Sequence, residues 1–345
     1  MRIHLGLLVA LAAVAGDVRA EGLVVGVSWS NFQEERWKVD EAHLSRRLAE
    51  LGALYVSADA QSSTEKQIAD LENLVTRGAR VLVVVAQDAD ALGPALAAAH
   101  AEQIPVVAYD RLIEAERVFY LSFDNREVGR IQAREILAVQ PRGRYVFIKG
   151  SAQDPNADFV HAGQLDVLRP AIASGALQVV GDQYVDGWLP ELAQRVMEQI
   201  LTANANRVDA VVCSNDGMAG GVAAALAAQG LSGIPLSGQD GDHAALGRVA
   251  RGEQTVSVWK DARRLGRAAA EVAVALGRGV PPAEIEGATR FTGGPRGLSV
   301  PAILLEPIPI TRANLDVVID AGWVPRDRVC RGLDGAADAP PACRP

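Results

Sequence analysis

Planar hydrogen-bonding side chains and tryptophans recur in this chain where short apolar runs end. Val211-Val212-Cys213 stops at Ser214-Asn215-Asp216, and Gly217-Met218-Ala219-Gly220-Gly221 then opens an Ala-rich helical pattern. An apolar run, a polar break and small residues read as a buried strand, a tight loop and a helix start. The same layout recurs at 106–111 (VVAYDR), 146–156 (VFIKGSAQDPN) and 235–240 (PLSGQD), and more loosely at 24–32 (VVGVSWSNF). In open parallel α/β sheets ligands sit outside the carboxyl ends of the strands, so these polar ends converge on one expected cleft.

The side chains gathered this way are Arg36 with Trp37, Arg111, Asp154, Asn156, Trp188, Asn215, Asp240 and Lys260. A sugar offers hydroxyls that donate and accept, plus an apolar face of C–H groups. Planar forks such as Arg, Asp and Asn match the hydroxyls, and an aromatic ring matches the face. Mixed charge, amides and tryptophan therefore suit a polyol, whereas a phosphate site would be more one-sidedly basic. Each residue also has a plainer use. Arg111 could pair with Asp110, Trp37 and Trp188 could pack into cores, and Lys260 could be solvated. Asp216 reads equally well as a helix cap.

Enzyme signatures are missing. There is no phosphate loop of the G-x-x-x-x-G-K-[ST] type, no H-E-x-x-H and no G-x-S-x-G. Of the five histidines only His243 lies near an expected strand end, where a surface or capping role is favoured. Asp240 and Asp242 share a Gly241 turn but lack the spaced ligands of a calcium loop. No Cys or His pair has metal-ligand spacing, so neither a metal nor a cofactor is expected.

The elements that must position these groups alternate along the chain. Strands are expected at 23–28, 53–57, 81–85 and 105–109, with helices at 34–51, 65–77 and 88–103 between them. The pattern restarts with strands at 144–149, 178–184, 209–213, 235–237 and 255–260, and helices at 128–139, 159–174, 189–203, 218–229, 243–251 and 262–276. Alternation at this spacing marks parallel βαβ units. The expected fold class is α/β, with two Rossmann-like lobes joined by a multi-strand hinge. Beyond Gly277 the pattern weakens into a Gly/Pro-rich loop over 279–297, a strand at 300–305, a helix at 312–321 and a mobile tail over 331–345.

With 345 residues, 49% hydrophobic and 22% charged, the chain can build two cores. A net charge of -8 without a basic stripe argues against nucleic acid. Arg2, the apolar run 5–15 and Val18-Arg19-Ala20 read as a signal peptide over 1–20, cleaved after Ala20. Export implies an oxidising compartment, where Cys330 and Cys343 could close a small loop while Cys213 stays a buried thiol.

The residues also carry a family resemblance over about 24–323. The chain resembles the periplasmic D-xylose-binding proteins of bacterial ABC importers, in the type I, ribose-binding-like group. The matching motifs are Glu35-Arg36-Trp37, Ala108-Tyr109-Asp110-Arg111, Asp186-Gly187-Trp188-Leu189-Pro190, Ser214-Asn215-Asp216 and Ser237-Gly238-Gln239-Asp240. The resemblance implies that Arg36, Trp37, Arg111, Asp154, Asn156, Trp188, Asn215, Asp240 and Lys260 contact the sugar. It also implies a non-enzymatic, monomeric periplasmic protein that closes over D-xylose and docks on a permease with its ATPase. Another pentose or aldose, or presentation of the ligand to a chemoreceptor, is the alternative. Trp29-Ser30-Asn31, Pro155, Trp259 and the extension bearing Cys330 and Cys343 depart from the family pattern. The expected division is 23–124 plus 262–297 for one lobe, 125–261 plus 298–329 for the other, and a 330–345 tail.

Overall fold

The computed structural model describes residues 22–333 and 336–344. The expected signal peptide lies outside the described residues.

The first half builds β1 (Val24–Trp29), α1 (Glu35–Glu50), β2 (Leu54–Asp59), α2 (Thr64–Thr76), β3 (Val81–Val84), α3 (Gly93–Ala101), β4 (Val106–Tyr109) and β5 (Val118–Phe123). The second builds α4 (Asn125–Val139), β6 (Gly143–Lys149), α5 (Pro155–Ala173), β7 (Leu177–Tyr184), α6 (Pro190–Ala203), β8 (Ala210–Cys213) and α7 (Asp216–Ala228). It continues through β9 (Ser237–Gln239), α8 (His243–Arg251), β10 (Val256–Trp259) and α9 (Ala262–Gly277). The chain ends with β11 (Thr289–Phe291), β12 (Val300–Leu305), β13 (Ile308–Ile310), α10 (Asp316–Asp320) and α11 (Arg326–Val329).

One sheet has the order β11-β12-β5-β4-β3-β1-β2. Its central strands β3, β4 and β5 are buried along their whole length, as strands covered by helices on both faces must be. Two further sheets, β7-β6-β8 and β13-β10-β9, are linked by a parallel bridge between Val211 and Leu236. Together they make a second layered α/β unit. The chain crosses between the two units after β5, after β10 and after β12.

Helix α1 shows how sequence sets both packing and site. Its buried face is Arg36, Trp37, Asp40, Leu44 and Leu48, a stripe at helical spacing. Trp37, Leu44 and Leu48 join the core beneath the sheet, while Arg36 reaches Asp240 of the second unit. α9 crosses α1 closely at Gly266, where an added Cβ would lie 2.6 Å from the Asp40 carbonyl oxygen.

Several expectations change. β5, a fully buried strand that is not among those expected, follows β4 and carries the chain directly into the first crossing. β12 pairs in parallel with β5, so residues 300–305 stand in the first sheet rather than with the second lobe. Apolar alternation marks a strand but not its neighbour, which is why sequence misplaced it. Helix α3 starts later than expected because the Asp88 carboxylate accepts from the Asp90 and Ala91 backbone, holding a turn ahead of Pro94. The tail expected to be mobile is packed: Cys330 and Cys343 form a disulfide, and Leu333, Ala339 and Ala342 are buried against a core that includes Leu246 and Trp259.

Candidate functional site

Each candidate residue stands just past a strand or at the helix start that follows one. Arg36 and Trp37 occupy the first turn of α1, and Arg111 follows β4. Asp154 is the N-cap of α5, its side chain accepting from Asn156 N, and Asn215 caps α7 by accepting from Met218 N. Trp188 follows β7 in a short helical turn, Asp240 follows β9, and Lys260 follows β10. All of these side chains line a single cavity of ≈ 20 Å³, together with Glu34, Asp110 and Gln239. That is room for roughly one water, so the walls nearly touch. They come from both units.

Three non-glycine residues of this cavity have left-handed backbones: Asp110 (φ 62), Trp188 (φ 59) and Asp240 (φ 100). Such conformations cost about 1–3 kcal/mol each and persist where surrounding bonds over-determine them. Here Asp110 N donates to Leu121 O at 2.8 Å and Asp240 N to Val258 O at 2.9 Å.

The charges interlock across the cavity. Arg36 Nη1 lies 2.8 Å from Asp110 Oδ2 and 3.3 Å from Asp240 Oδ1, and its Nε donates to Asp40 Oδ2 at 3.2 Å. Lys260 Nζ lies 3.3 Å from Asp240 Oδ1 and 3.8 Å from Asp110 Oδ2. Arg111 Nε meets Asp154 Oδ2 at 2.9 Å. Burial opposes charge on Arg36, yet Asp110, Asp40 and Asp240 outweigh it and hold the guanidinium charged well beyond its ordinary range. Burial likewise pushes Asp110 up, but Arg36, Lys260 and Arg111 prevail and lower it below its usual value. Burial prevails at Asp40, pushed up to about 6, and at Asp154, which is also raised.

The two tryptophans are fixed differently. Trp188 lies against the Gly150 backbone, where an added Cβ would sit 2.1 Å from its ring, and its indole N–H donates to Asp154 Oδ2 at 3.2 Å. Trp37 donates its indole N–H to Glu34 and carries the Arg36 guanidinium 4.5 Å above its ring centre. Asn156 Nδ2 donates to Asp110 Oδ1 at 2.8 Å, and Asn125 Nδ2 to Asn156 Oδ1 at 2.9 Å. This ties α4 and α5 to the loop after β4.

Some plainer readings also resolve. Arg111 pairs with Asp154, not with its neighbour Asp110. Asp216 does not border the cavity; it accepts from Ser257 Oγ, Gln254 Nε2, Gly241 N and Asp242 N. His243 hydrogen-bonds the Trp323 carbonyl and also lies outside. Sequence reasoning missed Glu34, Asp110 and Gln239 as lining groups. Asp110 and Gln239 stood inside motifs already singled out, and Glu34 directly precedes one, so adjacency was the available signal. A much larger groove of ≈ 720 Å³ lies nearby, bordered by Tyr120, Phe159 and Phe291 and by none of the candidate residues. Among the described residues no cluster of His, Cys, Asp or Glu is placed to hold a metal ion.

Two parallel α/β units meeting at a polar cavity, with three crossings between them, define a type I periplasmic-binding-protein fold. The chain belongs to the periplasmic binding protein domain family, which matches residues 25–280. It is 42% identical to the D-xylose-binding periplasmic protein of Escherichia coli, covering 92% of this chain and 94% of that protein. The D-xylose-binding periplasmic protein of Haemophilus influenzae is 41% identical, with 93% and 96% covered. Among solved structures, an ABC transporter solute-binding protein from Clostridium phytofermentans with bound β-D-glucose aligns with a TM-score of 0.81 and 31% identity, covering 89% of this chain and 99% of that one.

Proposed function

We propose that this protein is the periplasmic sugar-binding component of an ABC importer, that it captures D-xylose between its two lobes, and that it delivers the sugar to a membrane permease. The lobes are 22–124 with 262–305, and 125–261 with 306–333 and 336–344, hinged at the three crossings. Export uses the signal peptide over 1–20, and the mature protein acts as a monomer.

The observation that carries this reading is the single cavity in which forks of both charges, three amides and two tryptophan rings converge from both lobes. The nine residues named from the sequence form the ligand contacts. A bound aldose exchanges its hydroxyls for the ion-pair contacts that Arg36, Asp110, Asp240 and Lys260 now make with one another. Trp37 and Trp188 supply faces for the C–H surface of the ring. Closure buries every partner, so a sugar with a misplaced hydroxyl leaves a buried group unpaired and binds more weakly. Hinge closure of this kind is a known property of periplasmic binding proteins as a class, and the handing-on of ligand follows from it.

The test is a thermal-shift panel of pentoses and hexoses on protein refolded free of ligand. A sugar that binds only the folded state raises the melting temperature. A large shift with D-xylose and little with ribose, arabinose or glucose is the expected result. A panel in which D-xylose gives no shift while another aldose does would remove D-xylose from the reading.

A further inference from the structure

Gln239 is the anomaly of the cavity. It is 3% exposed and lines the wall, yet its Oε1 is a buried acceptor with no hydrogen-bond partner among the described residues. Its Nε2 makes no side-chain hydrogen bond among them either. Buried polar groups are nearly always paired, because leaving one unpaired forfeits its hydration for nothing in return. Every aspartate of the cavity, by contrast, has a cation within ion-pair distance.

The surrounding backbone holds Gln239 in place. Gly238 before it has no room for a side chain: a Cβ there would lie 2.1 Å from Asp216 Oδ1. Asp240 after it has a left-handed backbone. Within the same sheet, the neighbouring strand β10 pairs Val258 with Gln239 itself. The backbone that carries the amide is therefore fixed at the wall, while the amide itself makes no hydrogen bond to the described residues.

We propose that Gln239 is a specificity-determining residue that hydrogen-bonds the bound sugar directly. An amide presents one acceptor and two donors in a plane, which suits a hydroxyl pair on adjacent ring carbons: one hydroxyl donates to Oε1 and its neighbour accepts from Nε2. The inference rests on the sugar-binding reading above and adds a contact to it.

A side chain that hydrogen-bonds the ligand but nothing in the protein has an unusual signature. Gln239→Met keeps the volume and removes both polar ends. Because no protein partner is lost, ligand-free stability should be unchanged or raised. Affinity should fall by at least about tenfold, the scale of losing hydrogen bonds that a site is built to make. Gln239→Leu serves as the second variant.

The experiment is calorimetric titration of wild type and both variants with D-xylose and its monodeoxy analogues, alongside ligand-free melting curves. At least one monodeoxy analogue should bind wild type and Gln239→Met equally well, because the hydroxyl that Gln239 reads is already gone. Variants that bind D-xylose within twofold of wild type would overturn the proposal. So would affinity and ligand-free melting temperature falling together, since that marks a structural role. A wild type that binds a hexose but not D-xylose would refute the choice of sugar alone, and the comparison is then read with that hexose and its deoxy analogues.

Discussion

Two buried carboxylate clusters lie side by side in the second lobe, and they obey opposite rules. Asp240 faces the cavity and meets the cations Arg36 and Lys260 at 3.3 Å each. The Asp216 carboxylate, close behind, takes neutral donors only: Ser257 Oγ at 2.5 Å, Gln254 Nε2 at 2.8 Å, and the Gly241 and Asp242 amides at 3.0 Å, while Arg248 donates to its backbone carbonyl instead. Burial therefore wins at Asp216 and pushes it up to about 7. Cavity charges hold one another through flexible side chains, and such contacts can be exchanged for a ligand's hydroxyls. The Asp216 carboxylate is saturated by backbone and neutral side-chain donors, so it holds the Gly241 turn and does not reach the cavity. A polar residue at a strand end is thus a binding group or a brace according to what saturates it.

The largest effect expected from breaking this contrast is at Arg36. Arg36→Ala leaves Asp40, Asp110 and Asp240 without their shared counter-charge, and removing one partner of a buried ion pair typically costs about 3–5 kcal/mol. Denaturant unfolding should show that loss, and titration should show no sugar binding. Retained affinity would mean that the charge cluster is a brace like Asp216.

Next in size is Asp216→Ala. It strands several buried donors, at about 1–3 kcal/mol for a typical unsatisfied group, and should lower stability more than it lowers affinity. It should also flatten the pH profile. A carboxyl whose folded value is raised binds more protons folded than unfolded, so its stabilisation is full below about pH 4 and is lost as pH rises through about 7. Asp40, pushed up to about 6, acts with the same sign. Wild-type melting temperature should fall between pH 5 and pH 8, and the fall should be smaller in Asp216→Ala. An identical slope in the two proteins would dismiss Asp216 as its source.

The smallest effect is steric. Gly150→Ala places a methyl where Trp188 now lies, and overpacking of this size costs about 1–3 kcal/mol. Because Trp188 bonds Asp154, the cost should appear as weaker sugar affinity with the ion pairs intact. Unchanged affinity would show that the ring is not needed at its present place.

Much of this was legible from the sequence for a local reason. Asp154, Asn156 and Asn215 sit at strand-to-helix junctions whose caps and breaks are written in consecutive residues. Arg36 and Trp37 open a helix whose apolar stripe is legible over 36–48. What escaped was non-local. β12 pairs with β5 across some 180 residues of chain. Arg111 chose Asp154 over adjacent Asp110 because the lobes bring Asp154 within reach. The tail looked mobile because its Gly and Pro hid three apolar residues, which fasten it down together with the Cys330–Cys343 disulfide that the two cysteines had suggested.

The sequence by itself determined the α/β alternation, the strand ends where polar groups collect, and the residue types suited to a polyol. Those follow from periodicity and side-chain chemistry, which act over a few residues. Only the tertiary structure decided which acid meets which base, that Glu34, Asp110 and Gln239 join the wall, and that Asp216 does not. Pairing depends on distances between separate elements. The energy of a buried charge or amide depends on what surrounds it in space rather than on its neighbours in the chain.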